Sequence, residues 1–190
     1  MNEAEFRADV CQSQSIERIK VNEHSQLFKQ HLKATQYVYE KASNGEWPNV
    51  LKVHQILMLN EVDIPGSFRT WGVYLSDKKD GKKNWCPNSQ HIESLMSEWE
   101  ESCQHIRSNS TYFGDLLETV CLVHYYHFLV IHPFEDGNGR TGRLMCNALR
   151  LCVGLPWHTF TTDVHPLYVQ KLRAYEADFK KENSELYDPD

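Results

Sequence analysis

The run HPFEDGNGRTGR, residues 132 to 143, gathers one imidazole, two carboxylates, three glycines, one asparagine and two arginines into twelve positions. A glycine-rich loop that runs into a helix leaves backbone N–H groups free where the helix dipole is positive, which makes an anion seat. Gly137, Gly139 and Gly142 let backbone approach a phosphate without an intervening Cβ. Arg140 and Arg143 are three apart, project from one helical face and can grip two phosphates of a chain. Asp136 is an oxygen ligand of the kind Mg²⁺ accepts when it binds mainly through substrate phosphates. The Asn138 amide can donate to a phosphate oxygen on which charge develops. His132, with Pro133 barring helix continuation, carries an imidazole of ordinary pKa near ~6.5 and can take up a proton at neutral pH. A base beside a bound phosphate chain implies attack by a hydroxyl on phosphorus. Two other readings use the same residues: Asp136 to Gly139 as a plain turn between helices, and His124, His127, His132 and Asp136 as a metal centre. The metal reading is disfavoured because His124 and His127 precede His132 by eight and five places, so no i, i+4 pair aims at one ion.

These residues need elements to hold them. Residues 3 to 43 show a helical rhythm through Ile16, Ile19, Leu27, Leu32, Val38 and Tyr39, which predicts two helices ending near Ser43-Asn44-Gly45. A third is predicted from Val50 to Glu61, stopped by Ile64-Pro65-Gly66. In FRTWGVYLSDKKDGKKNWCP, the residues Phe68, Trp71, Val73 and Leu75 read as an extended arm, with Phe68 and Trp71 packing on the core, and Asp80-Gly81 as a hairpin turn. Lys78, Lys79, Lys82 and Lys83 read as its solvated tip. Ser89 to Ser108 returns to helix with Ile92, Leu95, Met96 and Trp99 on one face, and Phe113 to Ile131 is apolar enough to run through the interior before delivering the chain to His132. After the motif a helix beginning at Gly139-Arg140 continues until Gly154 and Pro156, a last helix covers 166 to 181, and the acidic tail ENSELYDPD is expected to fray. The fold class is all-α with one small hairpin.

With 190 residues, 41% of them hydrophobic, the chain can bury one ordinary core. A net charge of -6, without a long basic block, argues against nucleic acid as the main partner. The six cysteines form no C-x-x-C pair, and Cys121, Cys146 and Cys152 lie in apolar helical stretches, so they read as reduced and the compartment as cytoplasmic. The start MNEAEFRADV lacks a secretory pattern and no apolar segment reaches the roughly 20 residues of a membrane span, so an unprocessed chain without a membrane partner is expected.

The motif matches, at every defined position, the H-P-F-x-D/E-G-N-G-R-x-x-R signature of the Fic domain, and the chain resembles Fic-type protein AMP transferases over residues 50 to 175. Pro65-Gly66-Ser67-Phe68-Arg69 with Val73 and Leu75 resembles the flap hairpin of that family, and Gly154-Leu155-Pro156 its exit from the motif helix. The resemblance implies a Fic fold, a helical bundle around a central buried helix-loop-helix with a hairpin flap. It divides the chain into N-terminal helices (1–48), a Fic domain (49–178) and a flexible acidic tail (179–190). It implies that His132 is the base deprotonating a Ser, Thr or Tyr hydroxyl of a target protein. Asp136 holds the Mg²⁺ that bridges two phosphates of ATP, Gly137, Asn138 and Gly139 form the anion hole, Arg140 meets the phosphate chain and Arg143 the γ-phosphate. Phe134 anchors the loop in the core. Family members that lack the loop glycines act as kinases; Gly137 and Gly139 are retained, which favours AMP transfer with release of pyrophosphate.

An exposed hairpin edge can bind an extended target segment through main-chain bonds, with Val73 and Leu75 clamping the side chain to be modified. Many Fic proteins also carry an inhibitory helix of pattern S/T-x-x-x-E-G/N; Ser13 and Glu17 fit it, with Arg18 where Gly or Asn is expected. A Glu17 carboxylate on Arg143 would withhold the guanidinium from the γ-phosphate. The other reading of Ser13 to Glu17 is a capping box that opens a helix. Another nucleotide donor (UTP, GTP or CDP-choline), removal of AMP, self-modification at Tyr168, Tyr175 or Tyr187, and a second copy of the chain as partner stay open at this level.

Overall fold

The N-terminal helix starts where Asn2 can cap it. The Asn2 side chain accepts the Glu5 N–H at 3.0 Å and the Glu5 carboxylate accepts the Asn2 N–H at 2.6 Å, a reciprocal box that opens α1 (Glu3–Ile16). The computed structural model describes residues 1–76 and 83–187. α1 closes in a Schellman turn: the Ile19 N–H bonds the Gln14 carbonyl, the Arg18 N–H bonds the Ser15 carbonyl, and Arg18 adopts the left-handed conformation, φ 60°, that this turn needs. Ser13 to Glu17 is thus the end of a helix, not the capping box of a new one.

Ser25 caps α2 (Gln26–Ser43) through the Phe28 N–H at 3.1 Å. Its inward stripe is Phe28, Gln30, His31, Ala34, Thr35, Val38 and Ala42, whereas Leu27, Leu32 and Tyr39 stand at the margins. Three polar residues, Gln30, His31 and Thr35, therefore lie inside and two leucines outside the stripe that hydrophobicity alone predicts. Asn49 caps α3 (Val50–Leu57), which stops four residues short of the predicted Glu61. Met58 closes it, Asn60 is left-handed at φ 67°, and the Gln30 amide takes the Leu59 carbonyl.

The strands β1 (Tyr74–Ser76) and β2 (Lys83–Trp85) pair antiparallel, with Tyr74 opposite Trp85 and Leu75 opposite Asn84. The predicted Asp80-Gly81 turn and Lys78, Lys79 and Lys82 lie outside the described residues. Phe68 packs against Phe134 as expected, but Trp71 is 47% exposed and leaves the core. After a 3₁₀ turn, α4 (Ile92–Ser108) buries Ile92, Leu95, Met96 and Trp99, the face its periodicity predicts.

The long apolar run is broken. α5 (Ser110–Phe113) ends at Gly114, φ 47°, a 3₁₀ turn follows, and α6 (Leu117–Ile131) begins later than predicted. Leu116 and Val123 are exposed, so the first half of α6 reaches the interior at Cys121 and the second half through Tyr125, Tyr126, Phe128, Val130 and Ile131. α7 (Asn138–Cys152) starts one residue before Gly139 and lies between α2 and α6. α8 (His165–Glu182) lies on α6 with no fully buried residue. Ser184 to Tyr187 form a 3₁₀ turn whose Leu186 carbonyl accepts the Asn88 N–H at 2.8 Å, so this part of the tail is tied down where fraying was expected. The architecture is an all-α bundle with a two-stranded hairpin. Val38 of α2, Val53 of α3, Trp99 of α4, Phe128 of α6 and Leu149 of α7 meet in one core with Phe134. α2 thus shares this core with the helices that follow it. All six cysteines are free thiols, and among the described residues no helix is long and apolar enough to cross a membrane.

Candidate active site

The motif occupies the bend between α6 and α7. His132 ends α6 in a left-handed conformation, φ 51° and ψ 59°, with its N–H on the Phe128 carbonyl. Burial pushes its imidazole down to about 4; the nearby Leu129 carbonyl and Asp136 oppose the shift and Arg69 adds to it. The ring is therefore neutral at pH 7 and free to accept a proton.

Phe134 is fully buried between the rings of His54, Phe68 and Phe128. Asn138 corrects the sequence reading. Its Oδ1 accepts the Phe134 N–H at 2.9 Å and its Nδ2 donates to the Phe134 carbonyl at 2.9 Å, so the amide braces the loop and does not face a phosphate. Only its backbone N–H is left for an anion. Gly137 precedes the first turn of α7 with φ 73° and no side-chain cap, which leaves the amides of Asn138, Gly139 and Arg140 without partners inside the helix. A Cβ at Gly137 would stand 2.6 Å from Met58 Sδ, and one at Gly139 would stand 2.6 Å from Glu17 Oε1. Gly142 faces Tyr125 and Phe128 and serves the packing of α7 on α6 instead of the loop.

The Asp136 side chain is 67% exposed at the mouth of this seat. Its Oδ1 accepts the Gly137 N–H at 2.6 Å and Oδ2 lies 3.4 Å from Arg140 Nη2. One outward carboxylate beside free helix amides fits a Mg²⁺ ion that takes its remaining ligands from phosphate oxygens and water. His124 is engaged with the Val120 carbonyl and Ser102, and His127 packs on Tyr175 and Phe179, so neither converges with His132 on a common ion.

The two arginines do not point apart. Glu17 Oε1 lies 2.7 Å from Arg143 Nη2 and Glu17 Oε2 lies 2.8 Å from Arg140 Nε, so one carboxylate spans both guanidinium groups. Ser13 joins it: Arg143 Nε donates to Ser13 Oγ at 2.9 Å and Arg143 Nη2 to the Ser13 carbonyl at 3.0 Å. The arginine side chains are 4% and 5% exposed and Glu17 is 24% exposed. Burial works against the charge of Arg143, but Tyr125 and Glu17 outweigh it and hold the group above its ordinary pKa. Arg18 is exposed and takes no part.

At the flap, Val73 is half-buried and its carbonyl accepts the Cys86 N–H at 3.0 Å, while Leu75 is exposed. Three residues outside the motif shape its loop: His54, bonded to the Asp136 carbonyl, Arg69, bonded to the His132 carbonyl, and Met58 under Gly137. Their only sequence trace is apolar or basic residues in two separate segments, which names no contact.

Residues 48–149 match the Fic/DOC family. Among curated proteins, the chain is 29% identical over 109 residues to a protein adenylyltransferase, fic-1, of Caenorhabditis elegans, covering 57% of this chain and 20% of the relative. It is 33% identical over 110 residues to protein adenylyltransferase Fic of Drosophila grimshawi, with the same coverage. The chain spans 20% of the length of these relatives. Among solved structures, a signalling protein of Bacteroides thetaiotaomicron containing a Fic domain superposes with a TM-score of 0.74 at 17% identity, over 90% of this chain and 71% of that one. Residues 134–508 of Fic-1 of Caenorhabditis elegans superpose with a TM-score of 0.66 at 18% identity, over 93% and 56%.

Proposed function

The chain belongs to the Fic/DOC family, and from that premise we propose that it is a protein adenylyltransferase, moving AMP from ATP to a Ser, Thr or Tyr hydroxyl of a protein and held back by Glu17. The observation that carries this is the convergence of a neutral His132, an outward Asp136 and uncapped α7 amides on one bend, with both buried arginines held by a single carboxylate from α1.

The triphosphate would lie against the amides of Asn138, Gly139 and Arg140, and Asp136 would hold a Mg²⁺ ion supplying neutralisation of phosphate charge. His132 takes the proton of the target hydroxyl, the hydroxyl oxygen bonds the α-phosphorus, and the bond from that phosphorus to the bridging oxygen breaks, so pyrophosphate leaves with the electron pair. The target segment adds to the edge of the hairpin, where Val73 and Leu75 flank it. Gly137 and Gly139 are both retained, which favours AMP over phosphate as the group transferred. With Glu17 in place, Arg143 is withheld from the γ-phosphate and the productive pose is lost. Incubation with ATP labelled at the α-phosphate tests the reading. Glu17→Gly should label itself or an added protein far more than wild type, and Glu17→Gly/His132→Ala should not label at all. Label carried equally by all three proteins, or by none with any protein substrate, overturns it.

A further inference from the structure

His54 lies on α3, 82 residues before Asp136, yet it is 1% exposed and uses both ring nitrogens, one of them at the motif. Its Nδ1 lies 2.9 Å from the Gly66 N–H and its Nε2 lies 3.1 Å from the Asp136 carbonyl. A backbone N–H only donates and a carbonyl only accepts, so Nδ1 must be the acceptor and Nε2 must carry the proton. The ring stacks flat on Phe134, with centroids 3.8 Å apart and planes at 5°. Met58, four residues on, lies under Gly137, so one face of α3 holds the loop at residues 134, 136 and 137 together.

The far side of the ring leads back to the other end of the motif. Gly66, φ 86°, approaches α3 so closely that a Cβ would stand 2.9 Å from the Leu51 carbonyl, which brings its amide onto His54. Three residues later the Arg69 N–H bonds the Pro133 carbonyl at 2.9 Å and Arg69 Nε bonds the His132 carbonyl at 2.8 Å. The Arg69 guanidinium also holds the carbonyls of Trp71 at 2.8 Å and Pro87 at 2.6 Å, where the hairpin begins and ends. Asp136, His54, Gly66, Arg69 and His132 thus form a closed circuit around the loop.

We propose that His54 is a positioning residue, whose Nε2–H bond to the Asp136 carbonyl holds the carboxylate in register with His132 while its Nδ1 ties that register to the base of the hairpin. The proposal rests on the adenylyltransferase reading. Groups that orient a metal ligand in this way are worth on the order of 10–100-fold in metal affinity or activity.

Two near-isosteric variants separate this role from packing. In the Glu17→Gly background, His54→Gln sets an amide N–H where Nε2 stood, and His54→Asn sets an acceptor oxygen where Nδ1 stood. His54→Gln should keep labelling close to the parent. His54→Asn should melt near the same temperature, yet need on the order of 10–100-fold more Mg²⁺ for half-maximal labelling with a lower kcat. Mn²⁺ binding in the presence of ADP, followed by electron paramagnetic resonance, should weaken in His54→Asn alone. Equal Mg²⁺ requirements for the two variants, or losses that only track melting temperature, overturn the proposal. Absence of labelling in the Glu17→Gly parent refutes AMP transfer and leaves the Mn²⁺ arm to judge His54 by itself. Should a variant fail to fold, nitrogen NMR of the unsubstituted imidazole decides. A protonated Nε2 whose resonance moves on adding Mn²⁺-free Mg²⁺ and ADP supports the role, and an unprotonated Nε2 or an unmoved resonance overturns it.

Discussion

Replacing Glu17 with glycine leaves two buried guanidinium groups, Arg140 and Arg143, without the carboxylate that spans them at 2.8 and 2.7 Å. Removing one member of a buried ion pair costs about 3–5 kcal/mol, and the partial exposure of Glu17 places this case at the lower end, about 3 kcal/mol. For a chain of this size that is a fall in Tm on the order of 6–12 °C. Phosphate oxygens can take the place of the lost carboxylate, so nucleotide should restore much of the stability. ATP should do so better than ADP, because the γ-phosphate adds charge-assisted bonds to Arg143 worth about 1.5–3 kcal/mol. At roughly 1.4 kcal/mol per decade, Glu17→Gly should then bind ATP about tenfold or more tightly than ADP, whereas wild type, with Arg143 engaged, should bind the two alike. Thermal melts in rising Mg²⁺-ATP and Mg²⁺-ADP read both quantities from one series. Equal shifts for the two nucleotides in Glu17→Gly, or an ATP preference already present in wild type, would refute the reasoning that Glu17 and the γ-phosphate compete for one arginine.

Three further outcomes follow from the same structure. Burial is the first cause holding His31 well below its ordinary pKa and His54, His127 and His132 at about 4. The unfolded chain therefore binds protons near ~6.5 that the folded chain refuses until about 4, so stability is full above ~6.5 and falls as pH drops through that window. A urea midpoint unchanged between pH 7 and 5 would contradict it. Gly139→Ala sets a Cβ 2.6 Å from Glu17 Oε1 and should push the carboxylate off the arginines, so its stability cost should shrink in the Glu17→Gly background, with a coupling of about 0.5–3 kcal/mol in a double-mutant cycle; strict additivity would sink this. Arg18→Gly removes a left-handed strain of roughly 1 kcal/mol and should raise Tm by about 2–4 °C, while Arg18→Ala, equally strained, should not.

What the sequence discloses of this site follows chain distance. His132, Asp136, Gly137, Gly139, Arg140 and Arg143 lie on one short run, so their types and spacing name an anion seat with a base before any fold is known. Glu17 and Arg143 are 126 positions apart, and only the resemblance of Ser13 to Glu17 to an inhibitory pattern brings them together in advance. Asn138 misleads because its amide can serve a phosphate or the backbone four residues back, and type and position alone do not choose between them; the buried Phe134 does. The secondary structure follows the same rule. Helix faces with a strong apolar stripe, as at Ile92, Leu95, Met96 and Trp99, read correctly. α2 turns His31 and Thr35 inward because α3 and α7 fix its rotation, and α6 loses its first turns to Gly114. His54 is the extreme case: a histidine in an ordinary amphipathic helix has no local mark of its task, since its partners lie 12 and 82 residues away. The groups that act on phosphate are therefore written contiguously, and the groups that aim them are scattered. It follows that His132→Ala and Asp136→Ala should alter chemistry at nearly constant stability, as should His54→Asn, whereas Arg69→Ala, which strips the carbonyls of His132, Trp71 and Pro87 of their donor, should alter both, and comparing kcat against Tm across the two sets would expose any residue placed in the wrong class.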